Sequence, residues 1–176
     1  MKIRLLEETD LAKVLHVIET AFPDEENKAI MVLATELMND ASKYPIRSLV
    51  AEMDNQIIGY VSYSPILVKS DDNISGYILS PLAVSPDYQK QGVGSNLIGT
   101  GIDILKIEGV DALMVYGDPN YYGRFGFDET TGRLFTPPYP LEYPFGWTGL
   151  MLSEKSVPKS SINFDCVESL SKPQLW

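Results

Sequence analysis

A strand-like run, Leu82-Ala83-Val84, stops at Ser85-Pro86-Asp87, and glycines at 92 and 94 then open a segment with helical apolar spacing. That order places unpaired backbone N–H groups at a helix start, directly after a strand. Such a start draws anions, because its first donors have no partner inside the helix and the helix dipole favours negative charge. The glycines let a ligand approach the backbone closely and permit dihedrals that other residues avoid. The chemistry implied is the binding of something phosphorylated. A Walker loop is excluded, since Gly94 is followed by Ser-Asn and not Lys-Ser/Thr. A dinucleotide fingerprint is excluded because Leu97 stands where its third glycine belongs. Taken alone, the stretch Gln89 to Gly94 also fits an ordinary glycine-rich helix start.

What remains, Gln89-x-x-Gly92-x-Gly94, resembles the acyl-coenzyme A signature of the GNAT superfamily of N-acetyltransferases. The resemblance implies that the segment Gln89, Lys90, Gln91, Gly92, Val93, Gly94, Ser95 and Asn96 holds the pyrophosphate of coenzyme A. A second stretch, Tyr116-Gly117-Asp118-Pro119-Asn120-Tyr121-Tyr122-Gly123-Arg124-Phe125-Gly126-Phe127, looks like the Phe/Tyr-Tyr-x-x-x-Gly-Phe ending of many members. Tyrosines at such positions are more often packing aromatics than catalysts. On the match, however, Tyr122 takes the place of the tyrosine that protonates the departing sulfur. Asn120 takes that of a frequent cofactor contact, with Tyr121 beside it. The two stretches together resemble the YhbS-like branch, which Ala21-Phe22 and Ser64-Pro65 also fit, so the likeness covers roughly residues 1–152.

Acetyl transfer from a thioester to an amine needs a neutral amine, a polarised carbonyl and a stabilised thiolate. A strand-four N–H, that of Val84, suits the carbonyl. A tyrosine hydroxyl, with an ordinary pKa of about 10, suits the thiolate. Holding both reactants supplies much of the rest, with no metal and no acyl-enzyme. Pro81 sits in an apolar run yet cannot donate to a ladder, so it marks an edge, a bulge or a parting of strands. The resemblance implies a splay between strands four and five, with the cofactor's pantetheine arm in the wedge along Leu82, Ala83 and Val84. No carboxylate stands in Tyr77-Ile78-Leu79-Ser80, where many relatives carry the general base; Glu19, Glu25, Glu26 and Glu52 are the candidates left.

The elements that must position these groups follow from periodicity. Residues 2–6 read as a strand, and Thr9 or Asp10 caps a helix to about Ala21 with Leu11, Val14, Leu15 and Ile18 on one face. After Pro23, a second helix carries Ile30, Leu33, Ala34 and Leu37. Strands over 47–53 and 56–68 turn at Asp54-Asn55, a hairpin signal. A polar loop at 69–73, a strand over 75–84, a helix over 92–108 and a strand over 112–116 follow. Asp118-Pro119 then starts a short helix, with Asp as cap. Pro137-Pro138-Tyr139-Pro140 and Pro144 read as a rigid loop, residues 147–152 as a strand, and 158–176 match no pattern. The fold expected is α/β (α+β): a GNAT-like mixed, mostly antiparallel sheet of about six or seven strands, splayed between strands four and five and flanked by about four helices. Residues 1–152 form the acetyltransferase domain, and 153–176 an extension packed on it or trailing it.

Helices one and two and the segment 137–146 wall the acceptor pocket in this reading, with Tyr139, Tyr143 and Phe145 making it aromatic; Trp147 suits the core better. The chain has 176 residues, 14 Lys and Arg against 24 Asp and Glu, and a net charge of −10. That balance weighs against nucleic-acid binding and fits a cationic amine better than an anion. No apolar run is long enough for a membrane and no signal-peptide pattern opens the chain, so a cytoplasmic protein is expected. One cysteine, Cys166, and one histidine, His16, argue against a disulfide, a metal centre or a Cys-His dyad. The function expected is N-acetyl transfer from acetyl-CoA to an amine of a small molecule, peptide or protein. The competing readings are a non-catalytic acyl-CoA sensor and a scaffold module. A second copy of the chain, as a homodimer, is the other partner considered.

Overall fold

The computed structural model describes residues 1–40, 45–69, 74–154 and 160–176. Of the polar loop expected at 69–73, all but Lys69 lies outside the described residues. The chain forms two compact units, residues 1–63 with 80–101, and residues 64–79 with 102–176. Two strands, β3 and β4, contribute residues to both.

In the first unit, β1 (Lys2–Leu5) lies antiparallel to β2 (Arg47–Met53), and β2 to β3 (Gln56–Val68). The β2–β3 turn takes positive φ at Asp54 (50°) and Asn55 (62°), as a two-residue hairpin with the twist of its strands requires. Helices α1 (Leu11–Ala21) and α2 (Asp24–Met38) share a core of Val14, Val17, Ile18, Ala34, Val50, Ile57, Tyr60 and Ala83. Asp10 does not cap α1 with its side chain. Its carboxylate accepts the Glu7 N–H at 2.9 Å and a two-pronged bond from Arg4, at 2.6 and 2.9 Å, while Arg4 Nε also reaches Glu52 at 2.6 Å. A buried carboxylate is better satisfied by a guanidinium than by one amide, which explains the departure from the expected cap.

Helix α3 (Val93–Ile107) is seated on β3 through two missing side chains. A Cβ on Gly59 would stand 2.9 Å from Val93 Cγ1, and one on Gly101 would run into the Tyr63 ring at Cζ. Tyr63 occupies that gap, and its hydroxyl donates to Leu97 O at 3.1 Å. Both glycines therefore serve close approach, and together they fix the helix start that follows β4 (Gly76–Val84).

In the second unit, β4 runs parallel to β5 (Ala112–Tyr116) only over Gly76–Ile78 against Ala112–Met114, although β4 itself continues to Val84. The ladder ends just before Pro81, whose bond to Ser80 is cis. Asp111, fully buried, accepts from Ser75 N and Oγ (both 2.9 Å) and from Ser153 Oγ (2.7 Å), which pins the strand starts. Strand β7 (Trp147–Met151) pairs antiparallel with all of β5. Beyond the expected elements come a helical turn α5 (Glu129–Gly132) and a short strand β6 (Phe135–Thr136). A further strand, β8 (Ile162–Cys166), pairs with β3 and β6. The hydrogen-bonded order is β1-β2-β3-β4-β5-β7, with β8 on β3 and β6 on β8, mixed and mostly antiparallel.

Candidate active site

In the first unit, strand alternation turns Ala83 into the core at 2 % exposure and leaves Leu82 and Val84 half-buried on the opposite face. A 3-10 turn (Pro86–Tyr88) follows, and Gln89 folds its side chain back so that Nε2 donates to Val84 O at 3.1 Å. Gln91 Nε2 likewise donates to Asp87 O at 2.8 Å. The backbone then enters the left-handed region twice, at Lys90 (φ 60°) and Gly92 (φ 84°). A non-glycine residue held there is strained, and such alternation turns successive N–H groups toward one concavity. The first helical bond of α3 runs from Asn96 N to Gly92 O at 2.9 Å, reinforced by Asn96 Nδ2 on the same oxygen at 2.9 Å. The amides of Val93, Gly94 and Ser95 lie ahead of that bond, and no described residue accepts from them. A compact array of donors at a helix N-terminus, with no side chain at 92, is what a pyrophosphate fits. Lys90 is exposed and is the only basic side chain of this loop.

In the second unit, α4 (Pro119–Tyr122) begins as expected, with Asp118 Oδ1 accepting Asn120 N–H at 2.9 Å. Tyr121 N and Tyr122 N both donate to Asp118 O at 3.0 Å. Asn120 is exposed. The Tyr121 ring stands edge-on to Tyr122 (centroids 5.1 Å apart) and 5.7 Å from Phe125. The Arg124 guanidinium covers its face at 4.4 Å. Tyr122 meets Phe127 at 5.8 Å. Its hydroxyl has no hydrogen-bond partner among the described residues, and burial, with a smaller contribution from Tyr121, pushes its pKa well above the ordinary tyrosine value. The group therefore stays protonated across the ordinary pH range, the form an acid needs.

The other candidates resolve on packing. Glu52 is held by Arg4, Glu19 is exposed beside His16 at 3.6 Å, and Glu25 and Glu26 are exposed in the first turn of α2. Trp147 is core: Nε1 donates to Gly132 O and Phe135 O at 3.0 and 2.8 Å, and its ring stacks on Phe164. Tyr139 packs toward Trp176, whereas Tyr143 and Phe145 are 54 % and 62 % exposed, with ring centroids 5.9 Å apart. Burial raises the Cys166 thiol to about 12, so it is not a nucleophile at neutral pH. No three His, Cys, Asp or Glu side chains gather into a metal-binding group among the described residues, and no described helix is long and apolar enough to cross a membrane. Sequence reasoning missed Arg124 as the lid on Tyr121 and Gly117 as the seat of Tyr122. A glycine between a strand end and an Asp-Pro cap was the available signal for the latter.

Residues 11–127 match the family model described as Acetyltransferase (GNAT) family. The chain is 37% identical over 111 residues to an uncharacterized N-acetyltransferase YjhQ of Escherichia coli K12, covering 62% of this chain and 61% of YjhQ. It is 42% identical over 81 residues to an uncharacterized N-acetyltransferase YhbS of the same strain, covering 46% of this chain and 48% of YhbS. The matched stretches thus span about half to three fifths of these relatives. Among solved structures, that of E. coli YhbS in complex with CoA superposes with a TM-score of 0.81 at 26% identity, covering 97% of this chain and 92% of that one. A GNAT family acetyltransferase from Brucella melitensis in complex with acetyl-CoA gives 0.67 at 25% identity, covering 92% and 93%.

Proposed function

As the chain belongs to the GNAT acetyltransferase family, we propose that it moves the acetyl group of acetyl-CoA directly to an amine of a small molecule, peptide or protein. The observation that carries the reading is the donor array of Val93, Gly94 and Ser95 behind a left-handed Lys90 and Gly92. When bound, acetyl-CoA supplies an activated acetyl thioester, whose C–S bond breaks as the amine nitrogen forms the new C–N bond.

The chain's own residues divide the work. Within the Gln89–Asn96 segment the unbonded amides of Val93, Gly94 and Ser95 take the pyrophosphate, the backbone of Leu82, Ala83 and Val84 is assigned to the pantetheine arm, and Asn120 and Tyr121 are assigned as further cofactor contacts. Val84 N–H polarises the carbonyl. Tyr122 gives its proton to the leaving thiolate, and the proton released by the amine restores the phenol, so charge and protons balance. The amine must arrive neutral, because of the candidate bases Glu52 is ion-paired with Arg4 and Glu19, Glu25 and Glu26 are exposed. The exposed pair Tyr143 and Phe145, in a negatively charged chain, selects for amines that carry a cationic or aromatic group.

Release of coenzyme A thiol, followed for purified protein with acetyl-CoA against a panel of polyamines, aryl amines and lysine peptides, tests this reading. It predicts turnover with at least one amine, and a mass gain of one acetyl group on that amine. Thiol release without an acetylated amine, or none across the panel, would overturn it.

A further inference from the structure

Gly117 stands between the last residue of β5 and the Asp118 cap of α4. Its φ lies outside the left-handed region, so backbone freedom is not the reason for a glycine here. Space is the reason. A Cβ at 117 would lie 2.6 Å from Tyr122 Cε2, 3.3 Å from Cδ2 and 3.6 Å from Cζ. The phenol ring thus lies directly on the bare Cα, while Tyr121 and Phe127 confine it from other sides. A second set of contacts fixes the Gly117 peptide itself. Gly117 N–H donates to Gly146 O at 3.0 Å, and Tyr143 N–H donates to the Tyr116 hydroxyl at 2.9 Å. Gly146 is close-packed in turn: a Cβ there would lie 3.0 Å from Gly117 O and 3.0 Å from Tyr116 Cε2.

We propose that Gly117 is a positioning residue for Tyr122, its missing side chain setting where the phenol lies, and that the Tyr143–Gly146 turn holds it there. The proposal rests on the reading of Tyr122 as the proton donor, and it deepens that reading. It also gives the exposed Tyr143 and Phe145 a route to the chemistry, because the turn that carries them is latched to the residue beneath the phenol. A misplacement of the acid by about 1 Å is enough to lower turnover as much as a hundredfold.

The test uses Gly117→Ala and Gly146→Ala, each in the wild-type and the Tyr122→Phe background. It adds NMR spectra of the free protein carrying ring-labelled tyrosine, in which the signal lost in Tyr122→Phe identifies Tyr122. The expected result is that both glycine variants move the Tyr122 signal and leave acetyl-CoA affinity within twofold by calorimetry. Gly117→Ala should lower turnover at least tenfold with the amine found by the panel, and cost nothing further once Tyr122 is Phe. Should Gly117→Ala fail to fold, the double variant Gly117→Ala/Tyr122→Ala should fold, because the clashing ring is gone. An unmoved Tyr122 signal, equal losses in both backgrounds, or a double variant that also fails to fold would overturn the proposal. If Tyr122→Phe alone leaves turnover unchanged, the acid assignment falls instead, while the NMR shift still decides the placement of the ring.

Discussion

Tyr122 is half-buried, with its ring edge-on to Tyr121 and its hydroxyl without a partner among the described residues, and those facts set its acid–base behaviour. Burial disfavours the phenolate, so the folded-state pKa moves up and the proton is retained wherever the amine substrate is titrated. The sign of the pH dependence follows. Turnover at limiting amine should rise with pH as the amine loses its proton, and should show no falling limb from tyrosine ionisation below about pH 10. A falling limb near neutrality in the wild type that disappears in Tyr122→Phe would contradict this. Tyr122→Phe itself should lower turnover about a hundredfold while leaving acetyl-CoA affinity within twofold, by kinetics and calorimetry together. An unchanged rate would instead favour a sensor that binds acyl-CoA without using it. At the Arg4 cluster the linkage runs the other way. Arg4 holds Asp10 below the usual carboxylate range, so this contribution to stability is present above pH 4 and is lost as pH falls through the lowered value. Asp10→Asn should therefore lower thermal stability at pH 7 and flatten its fall toward acid.

Among the elements, the turn between β4 and α3 and the seat of α3 are the ones the proposed binding role depends on. Gly92→Val would place a β-branched residue at φ 84°, a backbone cost of about 1–2 kcal/mol, and would put a side chain where the amides face outward. We expect acetyl-CoA affinity to fall at least tenfold with the fold retained, read by calorimetry and circular dichroism. Gly101→Ala tests the seat. Alanine favours a helix interior over glycine, yet here its Cβ would meet Tyr63, so the net effect on stability should be a loss of about 1–3 kcal/mol by denaturant unfolding. These elements were legible at different depths in the sequence. The Asp54-Asn55 hairpin and the Asp118-Pro119 cap carry their own dihedral requirements, and both formed where expected. Helices α1 to α3 were legible from periodicity: Val14 and Ile18 are in the core and Leu15 packs against it, while Val17 joins them and Leu11 does not. Strand β6 and the turn α5, at two and four residues, are too short and irregular for periodicity to register, whereas β8 does alternate apolar and polar residues and its signal was present in the sequence. The tertiary close approaches at Gly59, Gly101 and Gly117 were hidden as well, since a glycine's role depends on a partner distant in sequence.

For the whole molecule, the proposed function sets an acidic chain, at −10, against an anionic cofactor. In the proposed reading the loop would resolve this opposition with oriented peptide dipoles and a single lysine, not with a basic surface. This has a consequence that a basic phosphate site would not share. Added salt screens the repulsion between protein and cofactor, so acetyl-CoA affinity should hold or rise between about 50 and 300 mM salt, where the Debye length shrinks to less than 10 Å. A steep fall in affinity with salt would place the binding energy on cationic side chains instead. The turn and helix start of the proposed phosphate loop were readable because the glycine spacing and the strand-then-helix order lie within one short stretch. The general base and the acceptor were not, since they depend on contacts with a substrate that the chain alone does not specify. The most direct measurement is a calorimetric titration of the folded protein with acetyl-CoA, with NAD and ATP titrated as controls. Saturable, micromolar binding of acetyl-CoA that neither control reproduces is the result predicted. No binding, or equal binding of all three, would contradict the assignment of the Gln89–Asn96 loop and, with it, the proposed acetyl transfer.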